Sequence, residues 1–259
     1  MKLDRKVCLV TGGASGIGLA IAEAFAKEGA IITIGDLDEE GGKKAVEGIQ
    51  KLGRGAIFIK TDVTKREDCK GFISETVKKF GRIDILVNNA GLQHVAPISE
   101  FPEDKWDLLI GAMLTGTFLC TKYALPYMIQ QKNGRVINMS SIHGLIGVKF
   151  KSAYVSAKHG IIGFTKVTAL EMAEHGITAN AICPTFVRTP LVEKQIDDQA
   201  RAHGIPRKEV IEKVILAEAP MKRMLEPEEV AELAIYLASD SACNITGAAI
   251  PIDEGWTAQ

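Results

Sequence analysis

Apolar residues in this chain occur in short unbroken runs that alternate with longer amphipathic stretches. The short runs predict buried strands near residues 6–11, 31–35, 56–60, 83–88, 135–140, 177–183 and 248–252. Helical spacing of apolar residues predicts helices near 16–28, 39–52, 65–80, 104–131, 153–174 and 227–238. Strands that are apolar throughout and separated by helices are typical of a parallel sheet covered on both faces. We therefore predict an α/β fold with a doubly wound parallel sheet in three layers.

The alternation predicts one domain over residues 1–259. The chain is 46% apolar, enough for one large core, and contains no low-complexity linker and no internal repeat. One segment, about 185–226, has helical pieces but no predicted strand. Because insertions of this length in compact domains are usually lids or binding loops, we interpret it as a lid.

A glycine-rich turn follows the first predicted strand. It reads Gly12-Gly-Ala-Ser15-Gly16-Ile17-Gly18 and leads directly into an apolar helical pattern. Backbone amides in such a turn, together with the helix N-terminus, can hold a pyrophosphate. The glycine spacing differs from the common Gly-x-Gly-x-x-Gly, and a merely flexible turn is the alternative. We predict a dinucleotide site.

Asp36 ends the second predicted strand, about twenty positions beyond the glycines. A carboxylate there suits the adenosine ribose hydroxyls and would repel a 2′-phosphate. No Lys or Arg occupies the glycine turn or the positions just after Asp36. The pattern favours NAD over NADP as cofactor, although an Asp placed at a strand end for solubility is the competing interpretation.

Tyr154 and Lys158 stand four residues apart on a predicted helix, with Ser141 thirteen positions upstream. Residues at i and i+4 share a helix face, so we expect the ammonium of Lys158 to lower the pKa of the Tyr154 phenol. Tyr154 could then exchange a proton with a substrate hydroxyl that Ser141 holds. A Tyr-x-x-x-Lys pair also arises by chance, and Ser141 could simply cap a strand end.

The distribution of charges and the cysteines limit which partners and which compartment we expect. Acidic and basic residues are well mixed at a net charge of −1, so we expect no nucleic-acid partner. No apolar stretch is expected to span a bilayer, and the N-terminus leaves no room for a targeting peptide. Five scattered cysteines are interpreted as reduced core residues rather than disulfides or a metal site. We expect a cytoplasmic protein.

Taken together, Thr11-Gly-x-x-x-Gly-x-Gly18, Asn88-Asn-Ala-Gly91, Ser141 and Tyr154-x-x-x-Lys158 resemble the short-chain dehydrogenase/reductase family over essentially the full length. The resemblance implies a seven-stranded Rossmann-type sheet and a homotetramer held by the helices near 104–131 and 153–174. It implies adenine contacts at Asp62 and Val63, ribose-side contacts at Asn88, Ala90 and Gly91, and a carboxamide contact at Thr189. The complete implied cofactor set is Gly12, Ser15, Gly16, Ile17, Gly18, Asp36, Asp62, Val63, Asn89, Ala90, Gly91, Tyr154, Lys158, Pro184, Val187 and Thr189.

A narrower resemblance, to bacterial 3-hydroxybutyrate dehydrogenases, lies in the side chains around this trio. In that group the residues matching Gln93, His143, Lys151 and Gln195 hold the substrate carboxylate, while Ser141 and Tyr154 contact the hydroxyl. Lys151 also begins a predicted helix, where its charge and the helix dipole favour an anion. Taken alone, each of these four residues could equally be an ordinary surface, loop or core residue with no role in binding. Leu191 and Trp256 either form part of the pocket wall or only pack against the rest of the protein.

The sequence thus predicts NAD-dependent, reversible oxidation of (R)-3-hydroxybutyrate to acetoacetate, the R preference resting on resemblance. Alternatives are a related oxidoreductase acting on another hydroxy acid, alcohol or ketone, and a non-catalytic NADH-binding protein. Three positions depart from the family pattern. Met113 replaces a catalytic Asn whose main-chain carbonyl holds a relay water, and Thr185 and Glu254 replace glycines. We interpret Met113 as a tuning feature, and expect positive φ to be difficult at Thr185.

Overall fold

The structure is a computed structural model and describes residues 1–258. Seven strands form a single sheet in the order β3-β2-β1-β4-β5-β6-β7, and every neighbouring pair is parallel. The strands are β1 Val7–Thr11, β2 Ile31–Asp36, β3 Ala56–Lys60, β4 Ile85–Asn88, β5 Gly134–Met139, β6 Ile177–Pro184 and β7 Ala249–Ile252. The predicted fold class is confirmed.

Within residues 1–258, eight α-helices connect and cover the strands. They are α1 Gly16–Lys27, α2 Glu39–Lys51, α3 Arg66–Phe80, α4 Glu103–Ile110, α5 Gly116–Gln131, α6 Ser152–Met172, α7 Pro190–His203 and α8 Pro227–Ala238. One apolar core joins the sheet to α1, α2 and α8, and a second joins it to α3, α5 and α6. Along β1, Cys8 and Val10 enter the first core while Val7 and Leu9 enter the second, the alternation a two-sided sheet requires.

The strand order reverses beside β1, which pairs with β2 on one side and β4 on the other. Loops after β1 and β4 therefore diverge to opposite faces and leave a crevice at the carboxyl ends of the strands. Open α/β sheets bind ligands at this switch point. The glycine turn after β1 and the Asn-Asn-Ala-Gly segment after β4 both lie there.

The predicted helix over 104–131 is real but interrupted. A π-helical turn, Gly111–Thr115, separates α4 from α5. The combined helix Glu103–Gln131 is long and apolar enough to cross a membrane by length and composition, so the expectation that no such stretch exists was wrong. Half of its most apolar window is buried inside the domain, where α5 packs on α3 in the second core.

The segment 185–226, called the lid segment below, folds over its own apolar cluster. Val192 and Ile196 of α7 pack there with Phe186, and Trp256 from the C-terminal end joins them. An isolated parallel bridge between Val187 and Leu225 closes the segment at its base. The segment thus packs mainly on its own cluster at one side of the crevice, and Val187 and Leu225 at its base join the first sheet core.

Candidate active site

A cavity of about 730 Å³ opens at the carboxyl ends of the strands. Nearly every residue predicted for catalysis or binding lines this cavity. These residues come from the glycine turn, the ends of β2 and β3, the loop after β4 and the segment from β5 to α7. The predicted residues in its lining are Gly12, Ser15, Gly16, Ile17, Asp36, Asp62, Val63, Asn89, Ala90, Gly91, Gln93, Ser141, His143, Lys151, Tyr154, Lys158, Pro184, Val187, Thr189, Leu191 and Gln195.

The glycine turn is built for close backbone approach. Gly12 and Gly16 have φ values of +65° and +55°, and a Cβ on Gly12 would lie 2.9 Å from the Cα of Ala90. Ser15 is the N-cap of α1, but its side chain caps no amide, so the first amides of the helix are free to face the cavity. Gly18 does not line the cavity. A Cβ there would come 2.1 Å from the Gly12 carbonyl oxygen, so Gly18 permits helix-to-turn packing.

The Asp36 carboxylate is fixed by two backbone amides. Its Oδ2 accepts a hydrogen bond from the amide of Ala14 at 3.0 Å, and its Oδ1 accepts one from the amide of Asp38 at 3.0 Å. Leu37, Asp38 and Asp62 line the same end of the cavity. No Lys or Arg among residues 1–258 lines that end, so the environment is acidic, which suits neutral ribose hydroxyls.

The two asparagines after β4 have separate positions. Asn89 lines the cavity and its Nδ2 donates to the carbonyls of Thr11 and Gly12, which ties the β4 loop to the glycine turn. Asn88 is buried in the sheet, where its Nδ2 donates to Thr121 Oγ1 at 3.0 Å and to Asn138 Oδ1 at 2.8 Å. The expectation that Asn88 lines the ribose side was therefore wrong, because its side chain points into the core.

Ser141, Tyr154 and Lys158 meet at the centre of the cavity. Ser141 begins a short 3₁₀ turn after β5, where its Oγ accepts from the His143 amide at 3.2 Å and donates to the Pro184 carbonyl at 3.4 Å. Lys158 lies one turn beyond Tyr154 on α6, and its Nζ donates to the Met139 carbonyl at 2.6 Å. Burial lowers the pKa of Lys158 to about 8.

Two opposing effects act on the pKa of the Tyr154 phenol. Burial raises the pKa of Tyr154 above its ordinary value, and the hydroxyl of Ser141 opposes that rise. The Nζ of Lys158 lies 5.4 Å from the centre of the Tyr154 ring and is committed to Met139. In the protein alone, burial is the largest effect on this pKa. The expectation that Lys158 lowers the pKa of Tyr154 when the dinucleotide is bound stays a prediction.

Beside the trio, Gln93, His143, Lys151 and Gln195 line the same cavity, and His143 and Lys151 both face the ring of Phe186. We call these four the carboxylate clamp, after the role predicted for them. Lys151 is 2% exposed and His143 4% exposed. The Nζ of Lys151 lies 4.9 Å from the centre of the Phe186 ring, and no carboxylate of residues 1–258 pairs with it. Neither ring nitrogen of His143 has a hydrogen-bond partner within that range. Buried groups of this kind carry a cost unless a ligand pairs with them.

Burial also sets the protonation of the clamp. It lowers the pKa of Lys151 to about 7. Burial, reinforced by the charge of Lys151, lowers the pKa of His143 to about 3, so the imidazole is neutral at pH 7. Gln93 and Gln195 use their side-chain oxygens as acceptors, from the amide of His94 at 3.0 Å and from Gln199 Nε2 at 3.5 Å. Their amide NH₂ groups remain available as donors.

The apolar wall contains one residue that sequence reasoning missed. Phe186 packs its ring 6.0 Å from His143 and 6.2 Å from Trp256, and it also faces Lys151. An aromatic residue two positions after the strand end at Pro184 was the available signal. Leu191 lines the cavity, whereas Trp256 stands behind His143 at 6.3 Å and supports the wall from outside.

The three departures from the family pattern have different outcomes. The Met113 side chain is buried and its carbonyl accepts from Thr117 Oγ1 at 2.6 Å. Thr185 does not adopt positive φ, so the strain expected there is absent. Glu254 does, at φ +60°, and its buried carboxylate oxygens have no hydrogen-bond partner within residues 1–258.

Similarity to known proteins covers nearly the whole chain. A family model described as enoyl-(acyl carrier protein) reductase matches residues 12–257. The chain belongs to the short-chain dehydrogenase/reductase family. An uncharacterized oxidoreductase of Bacillus subtilis (strain 168), YxjF, is 48% identical over 257 residues, which cover 99% of this chain and 100% of that protein.

Two other relatives in the short-chain dehydrogenase/reductase family have a named activity. The D-beta-hydroxybutyrate dehydrogenase of Rhizobium meliloti (strain 1021) is 46% identical over 98% of this chain and 99% of its own length. That of Cupriavidus necator (strain ATCC 17699) is 45% identical over 99% of this chain and 100% of its own. Members of the family are oxidoreductases that use nicotinamide cofactors, and the glycine turn, Asp36 and the uncapped start of α1 fit such a group.

Proposed function

We propose that this protein catalyses the reversible oxidation of (R)-3-hydroxybutyrate to acetoacetate with NAD. The observation that carries the proposal is the buried pair His143 and Lys151, which lies in the same cavity as Ser141, Tyr154 and Lys158. Among residues 1–258, no group hydrogen-bonds the ring nitrogens of His143 and no carboxylate pairs with Lys151. A small hydroxy acid has a carboxylate that can pair with His143 and Lys151, and a hydroxyl that can contact Ser141 and Tyr154. The names of the relatives from Rhizobium meliloti and Cupriavidus necator support the same substrate.

The choice of NAD rests on Asp36. Both carboxylate oxygens are fixed by backbone amides, and the surrounding cavity wall carries Asp38 and Asp62. A ribose 2′-phosphate placed there would meet like charge, whereas ribose hydroxyls would meet acceptors. When bound, the nicotinamide supplies the acceptor for the hydrogen on C3 of the substrate.

The chain's own residues hold the substrate and move one proton. Lys151 and His143 bind the carboxylate, with the amides of Gln93 and Gln195 as further donors, and this orients C3 toward the trio. Ser141 hydrogen-bonds the C3 hydroxyl. Tyr154 removes its proton as general base and returns a proton to the ketone in the reverse reaction. Because burial raises the pKa of this phenol, the base needs cationic charge in the complete active site, from Lys158 and from bound cofactor.

A reductase acting on an acyl thioester is the second candidate, favoured by the description of the matching family model. It would share Ser141, Tyr154 and Lys158 but would have no use for a buried cation at Lys151. A thioester is neutral at the end where this clamp lies. The unpaired Lys151 therefore favours the free hydroxy acid.

The test is the formation of NADH at 340 nm, measured with the purified protein, (R)-3-hydroxybutyrate and either NAD or NADP. We expect turnover with NAD, at least tenfold lower efficiency with NADP, and near-complete loss in Tyr154→Phe with NADH binding retained. Ser141→Ala should lower kcat at least tenfold with the fold intact. Reduction of crotonyl or acetoacetyl thioesters without turnover of hydroxybutyrate would overturn the proposal in favour of the reductase. Tight NADH binding without turnover of any of these would favour a sensor.

We also propose that the protein works as a homotetramer without nucleic-acid or membrane partners. Helices α5 and α6 expose apolar side chains on the face turned away from the sheet: Phe118 at 42%, Val167 at 52% and Leu170 at 80%. Exposed apolar residues that cluster on adjacent helices favour a protein partner. A second copy of the chain would cover them.

A further inference from the structure

The four residues of the carboxylate clamp come from four separate segments of the chain. Gln93 lies in the loop after β4, His143 in the turn after β5, Lys151 at the start of α6, and Gln195 on α7. A small anion can contact all four only if these segments keep fixed relative positions, since binding sites lose affinity when their supporting residues are loose.

Phe150, immediately before Lys151, has an unusual backbone. Its φ is +68°, a left-handed conformation that bulky side chains rarely adopt. Such conformations persist only where several surrounding contacts determine them, and they concentrate at functional sites. Lys151 follows as the N-cap residue of α6, so the backbone of Phe150 decides how the lysine enters the helix.

Phe150 contacts two of the other clamp segments. Its carbonyl accepts a hydrogen bond from the amide of Ala96 at 3.0 Å, three residues beyond Gln93. Its ring meets the ring of His203 at a centroid distance of 5.1 Å and an angle of 90°. His203 is the last residue of α7, about two turns beyond Gln195. One residue therefore connects the Gln93 loop, Lys151 and the helix of the lid segment.

We propose that Phe150 is a positioning residue, which through Ala96 and His203 sets the Gln93 loop and helix α7 against Lys151 for binding of the substrate carboxylate. The inference rests on the proposed function, because it assumes that the clamp binds a carboxylate. It assigns no chemical step to Phe150. Its consequence is that loss of the ring weakens substrate binding while the proton transfer at Tyr154 continues.

Kinetics of Phe150→Ala, His203→Ala and the double variant separate positioning from a purely structural role. An edge-to-face ring pair accounts for roughly a three- to tenfold change in binding, so we expect each single variant to raise the KM for (R)-3-hydroxybutyrate by about that factor. The kcat and the KM for NAD should stay within about twofold. The double variant should be no worse than the worse single variant, because both remove the same contact. His203→Phe keeps an aromatic ring beside Phe150, so its KM for (R)-3-hydroxybutyrate should equal that of the wild-type protein.

Lys132→Gly is the matched control, because Lys132 also has positive φ, at +53°, but sits between α5 and β5 away from the clamp. It should leave both KM values unchanged. An unchanged KM for hydroxybutyrate in Phe150→Ala and His203→Ala, or a loss of kcat as large as the rise in KM, would overturn the inference while the proposed function stood.

A second readout does not depend on the substrate. Arg201 and Arg207 are exposed tryptic sites at the end of α7 and just beyond it. Phe150→Ala should speed cleavage there at least threefold, and Lys132→Gly should not. If the wild-type protein fails to oxidise hydroxybutyrate, the proposed function falls, and an unchanged cleavage rate in Phe150→Ala then overturns the positioning role as well. Faster cleavage would retain the link between Phe150 and α7.

Discussion

The ammonium of Lys151 is buried beside the ring of Phe186, no carboxylate in the described part of the chain pairs with it, and burial lowers its pKa to about 7. A buried lysine of this kind is charged only part of the time at neutral pH. A bound carboxylate would raise that pKa again, because an opposite charge favours the protonated form. Substrate binding should therefore take up a proton wherever the free lysine is neutral.

This gives a pH dependence with a defined sign. Because Lys151 loses its proton as pH rises through about 7, the competitive inhibition constant of butyrate should rise roughly tenfold between pH 7 and 8.5, while butyrate itself stays ionised. In Lys151→Met inhibition should be weak and should not depend on pH over this range. The same slope in Lys151→Met would assign the titration to another group, such as Lys158.

Tyr154 shows what residue spacing can and cannot predict. The i, i+4 rule placed Lys158 correctly one turn away, and the motif brought Ser141 to the same cavity. The acidity of the phenol depends instead on burial and on which acceptor Lys158 hydrogen-bonds. Lys158 donates to the carbonyl of Met139, a contact between α6 and β5 that no local pattern in the sequence reveals.

At the scale of elements, Met113 lies in the π-helical turn Gly111–Thr115, and its carbonyl accepts a hydrogen bond from Thr117 Oγ1. A carbonyl oxygen has two lone pairs, so a main-chain carbonyl can accept from a hydroxyl and from a water at the same time. The main chain can thus keep a relay role that the Met side chain cannot fulfil. π-turns of this type are frequent at functional sites.

We predict that Met113→Asn changes kcat by less than about tenfold, because the substitution keeps the main-chain carbonyl and changes only the side chain. Restoring a proton-transfer group that is missing would instead contribute roughly 10²–10⁴-fold. The kcat and its solvent isotope effect are the measurements, with Leu109→Met in the neighbouring turn as a packing control. A gain of a hundredfold or more would mean that the wild-type relay is broken.

The end of β7 carries a strained residue. Glu254 has φ +60°, its side chain is 2% exposed, and its nearest cation, Arg223 Nε, lies 3.6 Å away. Arg223 also binds Glu229 through two hydrogen bonds, so its charge is shared. Burial raises the pKa of Glu254, and Arg223 only partly opposes this rise.

Glu254→Gly should stabilise the protein by roughly 1–2 kcal/mol, because glycine tolerates left-handed φ without a Cβ clash. The sign of its pH dependence follows from the raised pKa: the buried carboxylate is unfavourable when ionised, so the gain should be largest above that pKa and shrink as pH falls through it. Thermal unfolding at pH 7.5 and 5 measures both. A variant less stable than wild type at pH 7.5 would show that the pair with Arg223 outweighs the strain.

For the whole molecule, the periodic spacing of apolar residues was sufficient to predict the architecture. All seven strands and the six predicted helices lie within a few residues of their predicted positions, since alternating apolar runs and amphipathic helices have one main solution in an α/β sheet. Helix α7 was foreseen only as helical pieces, because its apolar residues face a local cluster instead of the sheet. Site residues that line the cavity through loops, such as Phe186, depended on tertiary contacts.

The proposed homotetramer requires an apolar contact surface between copies of the chain. If α5 and α6 form the contact, Leu170→Glu should place a charge in an apolar interface and reduce the mass measured by light scattering from four chains to fewer. Leu52→Glu, at an exposed apolar residue after α2, should leave the mass unchanged. A tetramer that survives Leu170→Glu would place the interface on another surface.

The most direct measurement is the ratio of kcat/KM for (R)-3-hydroxybutyrate to that for its methyl ester, in wild-type protein and in Lys151→Met. Esterification removes the charge and leaves the reacting hydroxyl unchanged. We predict that the wild-type protein prefers the acid by about a hundredfold, as expected for a buried hydrogen-bonded charge pair, and that Lys151→Met loses nearly all of this preference. Equal rates for acid and ester in the wild-type protein would contradict the account.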